Sequence, residues 1–283
     1  MSTDAGARLA APVTARPGRK RRDADAIPVW LWGLGIVVAL YLVLPTLFVI
    51  PMSISKARSF VFPPQGFTWR LYENFFATPG WIGSLQNSFL VAILSCVIAT
   101  GVGTAAALGL DQMRGSVASA LRTLLMVPIV TPAIVTATSV YIAFLQWRLV
   151  GSVTGYVLAH AAIATPFVVI SVTSALGTFD PTLLRAAASL GASPFRRFLT
   201  VTMPLIGRGV QTGAILAFVT SFDEVVIAVF IRSPGFQTLP VQMYNSVTVE
   251  IDPTVAASSS LIVITVTCIF LASTILTIVR RRG

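Results

Sequence analysis

The sequence predicts an all-α membrane protein with six transmembrane helices and both termini in the cytoplasm. Three observations predict it. Hydrophobic residues make up 55% of the chain and charged residues only 11%, against roughly 25% charged in soluble domains. Six apolar runs reach the roughly 20 residues that a spanning helix needs. Lysine and arginine gather in alternate connections. With the N-terminus inside, fifteen of the twenty fall on inside segments and five (Lys56, Arg58, Arg70, Arg148 and Arg232) on outside ones, which fixes orientation by the positive-inside rule.

Taken in order, residues 1–27 are rich in Ala, Pro, Arg and Asp with no apolar period, and are expected to be a disordered basic cytoplasmic tail. A single membrane domain is expected over 28–279, with a basic cytoplasmic end at 280–283. The first span, about 28–52, follows the basic run Arg19-Lys-Arg-Arg22 but is too long for a signal-peptide core and lacks a small-residue cleavage site. That run serves orientation, with contact to anionic lipid as the alternative. The outside loop 53–83 carries aromatics suited to a membrane surface. The second span, 84–110, has Gly101, Ala105 and Gly109 at a small-xxx-small spacing that allows close helix approach. The third, 121–147, contains Pro128 and Pro132, and the fourth, 154–177, contains Pro166. Proline frees a backbone carbonyl and kinks a helix, so these are expected either as packing kinks or as the lining of a pathway. The fifth and sixth spans are 205–231 and 256–279. Between them, 232–255 holds Pro234-Gly235, Pro240 and Asp252-Pro253 and is expected as a short helix with turns.

The segment 178–204 is too polar to span and too patterned to be a linker. Asp180-Pro181 is a helix start, because Asp caps free N–H groups and Pro suits the first helical position. Leu183, Leu184, Ala187 and Leu190 then share a face. Gly191 is a natural stop, and Ser193-Pro194 repeats the start signal. Phe195, Phe198, Leu199 and Thr202 make a second apolar face opposite Arg196 and Arg197, and Pro204 is expected to end it. The outcome is a short helix–turn–helix on the cytoplasmic surface.

Arg185-Ala186-Ala187, then three residues, Gly191, nine residues, and Val201-Thr-Met-Pro204 resembles the coupling loop of type I ATP-binding-cassette (ABC) importer permeases, whose pattern is Glu-Ala-Ala, three residues, Gly, nine residues, Ile-x-Leu-Pro. Spacing matches throughout; Arg185 departs from the usual acid, which puts in doubt the single ion pair that the acid implies. Phe222-Asp-Glu-Val-Val226, Thr238-Leu-Pro-Val-Gln-Met-Tyr244, Ile251-Asp-Pro-Thr-Val-Ala-Ala257 and Gly66-Phe-Thr-Trp-Arg-Leu-Tyr72 are similar to the spermidine and putrescine branch. Relatives there also carry opines, other amines and aminophosphonates. The resemblance covers about residues 30–275. It implies the type I importer permease fold, a loop docked on an ABC ATPase subunit dimer, a second homologous permease subunit, an extracytoplasmic substrate-binding protein and a bacterial inner-membrane location. It also implies that ATP and Mg belong to the ATPase, with no cofactor on this chain.

Asp223 and Glu224, beside Phe222, lie in the fifth span. An intramembrane acid costs about 2.5–3.5 kcal/mol on insertion scales and so faces protein or water. One of the two offers a carboxylate to a passing amine, or holds a gate by a helix–helix hydrogen bond. The lone histidine, His160, cannot build a histidine zinc site and reads as a packed, hydrogen-bonded imidazole or a proton relay. Cys96 and Cys268 stand far apart in apolar runs and read as inert thiols. Lys20 follows Arg19 and Lys56 follows Ser55, so the chain has no Gly-Lys phosphate loop and is not the ATPase. The basic balance reflects orientation and not nucleic acid. The rival from another class is an ion-coupled carrier using Asp223 and Glu224.

Overall fold

The computed structural model describes residues 28–57, 59, 62–64, 66–178, 180 and 182–282; the expected basic tail, 1–27, lies outside them, as does Gly283. Every named element among these residues is helical. Residues up to Leu47 form one compact unit and those from Phe48 another. The first unit is the body of α1 (Val29–Ser53). Its sequence is apolar on every side, the pattern of a helix surrounded by lipid or core.

In the second unit, α2 (Arg70–Ala77) leads into α3 (Pro79–Gln112), α4 (Ser116–Val130), α5 (Ala133–Trp147) and α6 (Val153–Gly177). Then come α7 (Thr182–Ser189), α8 (Pro194–Arg197), a π-helical stretch at Phe198–Thr202, α9 (Met203–Phe222), α10 (Val226–Ile231), α11 (Leu239–Thr248) and α12 (Thr254–Arg282). Among the described residues, four helices are long and apolar enough to cross a membrane: Trp30–Ser53, Pro79–Gln112, Val153–Gly177 and Pro194–Phe222. The pair α4 and α5, bent by 103° at Thr131-Pro132, makes a fifth if it is one span.

The centre of this unit is the packing of α3, α6 and α9. Val168 of α6 is buried between glycines of its two neighbours. A Cβ on Gly103 of α3 would lie 2.7 Å from the Val168 Cβ, and one on Gly213 of α9 would lie 3.0 Å from its Cα. Ala99, Ala107, Ala164, Val172, Ile206 and Ala217 complete the buried surface. Small residues let backbones meet closely where lipid supplies no hydrophobic drive for association. The expected stripe Gly101, Ala105 and Gly109 is not the one used. Those residues are exposed, with nothing within 4 Å of a Cβ at Gly101 or Gly109. The buried stripe is Ala99, Gly103 and Ala107, offset by two residues and therefore about 200° around the helix.

Two further departures concern helix ends. The third expected span is broken, not merely kinked. Pro132 has no N–H and pushes Thr131 out of the helical region, and Thr131 stands at φ −72°, ψ 133°. Its N–H and hydroxyl both donate to the Val127 carbonyl, at 3.0 and 2.8 Å. Pro166, by contrast, leaves α6 continuous. The fifth expected span, 205–231, ends at Phe222; Asp223–Val225 are not helical, and α10 starts afresh.

A smaller core joins α2 and α11 to α3 and α12. Phe75 of α2, Trp81 of α3, Leu239 of α11 and Val255 of α12 are buried together. Trp81 Nε1 donates to Asp252 at 3.2 Å, Asn74 Nδ2 to Thr254 at 2.8 Å, and the Leu239 N–H to Ser88 Oγ at 2.7 Å. The expected long loop 53–83 is thus shortened by α2 and the first turn of α3, and the helix expected within 232–255 is α11.

Candidate functional site

Two regions carry the expected functional residues. The first is the helix–turn–helix after α6. The Asp180 carboxylate accepts the Thr182 N–H at 2.9 Å, and α7 follows. These bonds, from the Thr182 backbone first and its hydroxyl next, hold the Asp180 carboxyl below its ordinary value, and nearby Arg185 adds to the effect. The last turn closes with the Gly191 N–H on the Ala188 carbonyl, 2.9 Å, and the Ala192 N–H on the Ala187 carbonyl, 3.1 Å. Gly191 sits at φ +78°, the left-handed conformation in which glycine ends helices at least cost. Ser193 then accepts the Arg196 N–H, and Pro194 opens α8.

Pro204 does not end this second helix. The chain runs as one helix from Pro194 to Phe222, and Pro204 lies in the first turn of α9. A proline lacks an N–H and crowds the carbonyl four residues back. The π-helical stretch just before it shifts the bonding by one residue, with the Met203 N–H donating to the Phe198 carbonyl, and so accommodates the ring. The expected second apolar face is divided. Phe195 and Leu199 point outward, 71% and 49% exposed; Phe198 is half-buried and Thr202 buried. With Leu190, 89% exposed, and Leu183, 45%, they make an outward apolar surface. Arg185 and Ala186 are exposed beside it and Ala187 is half-buried.

The second region is the break between α9 and α10. Asp223 is exposed and Phe222 half-buried. Phe222 stacks with Phe218 at 5.8 Å between ring centroids and meets Phe89 at 5.2 Å, so an aromatic cluster immediately precedes Asp223 in the chain. Glu224 differs. Its Oε1 accepts the Ile227 N–H and its Oε2 the Ala228 N–H, each at 2.9 Å, which caps α10. Both acids therefore lie in the break, and the 100° step of a continuous helix does not relate them. His160 of α6 is fully buried with Nδ1 2.9 Å from Ser221 Oγ and 3.0 Å from the Ser221 carbonyl. Tyr156, one turn earlier, donates to the Ala228 carbonyl at 3.1 Å. Ser221 and Tyr156 were invisible as partners in the sequence: 61 residues separate His160 from Ser221, and no motif links them.

Residues 99–282 match the family model of the binding-protein-dependent transport system inner membrane component. The chain belongs to that family. Among the chain's relatives is the spermidine/putrescine transport system permease protein PotC of Escherichia coli (strain K12), 30% identical over 251 residues, covering 89% of this chain and 95% of that protein. Another is the putrescine transport system permease protein PotI of the same strain, 30% identical over 206 residues, 70% of this chain and 73% of that one. The molybdenum transport system permease protein ModB of Mycobacterium bovis is 30% identical over 211 residues, 69% and 80%. The fold is shared with a bacterial ABC transporter that imports the acidic polysaccharide alginate, at TM-score 0.64 and 16% identity over 93% of this chain and 99% of that one. It is shared also with an amino acid ABC transporter, at TM-score 0.55 and 20% identity, over 75% and 98%. The chain is thus a multi-pass membrane component of a transport system and not an enzyme, and its family works with an ATPase and a substrate-binding protein.

Proposed function

We propose that this inner membrane component forms half of the translocation pathway of an ATP-driven importer for polyamines or related small amines in a bacterial cell membrane. Six spans are read as α1, α3, the bent pair α4–α5, α6, the helix Pro194–Phe222, and α12, with both termini cytoplasmic; the distribution of arginine and lysine supports that orientation. A second homologous permease subunit completes the pathway. A binding protein delivers the amine outside, and an ATPase dimer, which holds the ATP and Mg, docks inside.

The observation that carries the reading is the outward apolar surface of Leu183, Leu190, Phe195 and Leu199 on a capped, turned loop. A soluble face would not present these side chains to water without a partner. Closure of the ATPase pair pushes on this surface. Because Pro194–Phe222 is one helix, the push reaches Phe222 and Asp223 directly. Asp223 and its aromatic neighbours are the part of the chain suited to a cationic amine, by charge and by cation–π attraction. The relatives' names support spermidine or putrescine as the cargo; opines and aminophosphonates are the alternatives within the same machine.

The test is Gly191→Asp in the tagged, assembled transporter. A side chain at this positive φ costs about 1–2 kcal/mol and places a charge at the turn. We expect recovery of the ATPase with the chain to fall by about tenfold or more, the factor that such an energy supports. Undiminished recovery would defeat the docking assignment. Uptake of labelled spermidine that survives ATP depletion and collapses with the proton or sodium gradient would instead establish the ion-coupled carrier.

A further inference from the structure

His160 leaves one question that its hydrogen bonds to Ser221 do not answer. Its Nε2 is buried and has no hydrogen-bond partner. Nearby stands the Oε2 of Glu224, 3.8 Å away, which is too far for a hydrogen bond. An unpaired buried polar atom is costly, and such atoms in native proteins call for a reason. Here the reason lies in what surrounds it. Glu224 is the cap of α10, Tyr156 on the same face of α6 holds the Ala228 carbonyl of α10, and Ser221 is the last full turn of α9 before the break. The four side chains thus bind α6 to both sides of the Asp223–Val225 break.

The Ser221 hydroxyl decides which nitrogen carries the proton. If its O–H donates to Nδ1, the ring proton sits on Nε2 and points at the Glu224 carboxylate. If instead Nδ1–H donates to the Ser221 carbonyl, Nε2 is a bare acceptor facing another acceptor. The first arrangement gives up the Nδ1–H bond to the Ser221 carbonyl, 3.0 Å away. A bond from Nε2–H to the carboxylate, which already receives two N–H groups, is charge-assisted and about twice as strong as the neutral one given up, and so favours the first arrangement once Glu224 comes within reach.

We propose that His160 is a positioning residue: held at Nδ1 by the Ser221 hydroxyl, its Nε2–H latches the Glu224 cap when α10 moves about an ångström toward α6, and releases it in the arrangement seen here. The latch sets how far α10 follows α9, and with it the placement of the exposed Asp223. His160 does not touch the cargo. The uptake part of the test rests on the transport reading; the exchange part does not.

Asn and Gln separate the two nitrogens, since an Asn amide reaches the position of Nδ1 and a Gln amide that of Nε2. In the assembled transporter, amide hydrogen exchange over residues 226–231 should be about tenfold faster in His160→Asn and in Ser221→Ala, and unchanged in His160→Gln, as expected for loss of one hydrogen bond to a charged group. Maximal spermidine uptake should fall in the same two variants with KM unchanged. Equal behaviour of His160→Asn and His160→Gln overturns the latch, as does wild-type exchange in Ser221→Ala or a changed KM. Should His160→Asn fail to assemble, the comparison of Ser221→Ala with His160→Gln still decides. A wild-type transporter that moves no amine refutes only the substrate, and exchange then decides the latch alone.

Discussion

The chain interrupts its apolar helices twice, at Thr131-Pro132 between α4 and α5 and at Asp223–Val225 between α9 and α10, and the two breaks have different causes. The first is made by the residue itself. Pro132 removes a donor and forbids its predecessor the helical region, and Thr131 answers locally with its own hydroxyl on the Val127 carbonyl. The second has no proline. It is made by a carboxylate that gives up a place in the helix to cap the next one, with His160 of α6 beside it and Tyr156 of α6 holding the Ala228 carbonyl. The first break is built into the backbone; the second is held by side chains and is therefore the one that a change elsewhere in the molecule can move.

The sharpest way to break this comparison is Glu224→Ala. It leaves the Ile227 and Ala228 N–H groups without their acceptor, and two hydrogen bonds to a charged group are worth about 3 kcal/mol or more together. The melting temperature in detergent should fall clearly, and α10 should lose its exchange protection; an unchanged melting curve would show that the cap does not hold the break. Tyr156→Phe comes next. It removes only the donor to the Ala228 carbonyl, an effect of about 1 kcal/mol, and should loosen α10 without shifting α9; equal loosening of both would mean that the break is not the boundary between them.

Pro132→Ala should cost less than about 1 kcal/mol, because the proline contributes no hydrogen bond of its own and its loss permits a helix that the chain does not need. Its effect should appear as a change in the distance between spin labels placed on α4 and α5. A bend that persists unchanged would assign the first break to packing and erase the distinction. The smallest effect belongs to Asp180. Its carboxyl is held below the ordinary value by the Thr182 N–H, so the cap is complete above the unfolded chain's carboxylate pKa and is lost as pH falls through the lowered folded value. Exchange in the first turn of α7 should rise only at that acid end, and Asp180→Asn should abolish the pH dependence.

Much of this was legible in the sequence. The apolar runs, the caps at Asp180 and Ser193, and the stop at Gly191 are local: each is decided by a residue and its next three or four neighbours. The outward apolar surface of the loop could be read in part, but Phe198 is half-buried while Phe195 stays outside, a difference set by what packs against the helix and not by its apolar spacing. Glu224 was legible only as an acid in an apolar run. Its cap on α10 reaches only residues three and four ahead, but it was hidden because the apolar run read as one continuous helix; the partners on α6 lie more than sixty residues away.

The apolar runs, the family, the caps at Asp180 and Ser193 and the orientation that the arginines favour were readable from the chain alone, since hydropathy, caps and charge act over short stretches. Only the tertiary structure decided which of two interleaved small-residue stripes on α3 is buried, where the fifth apolar run breaks, and who faces His160. Ala99, Gly103 and Ala107 are no smaller a set than Gly101, Ala105 and Gly109. What separates them is Val168, which lies on α6 and needs a glycine on each side to fit.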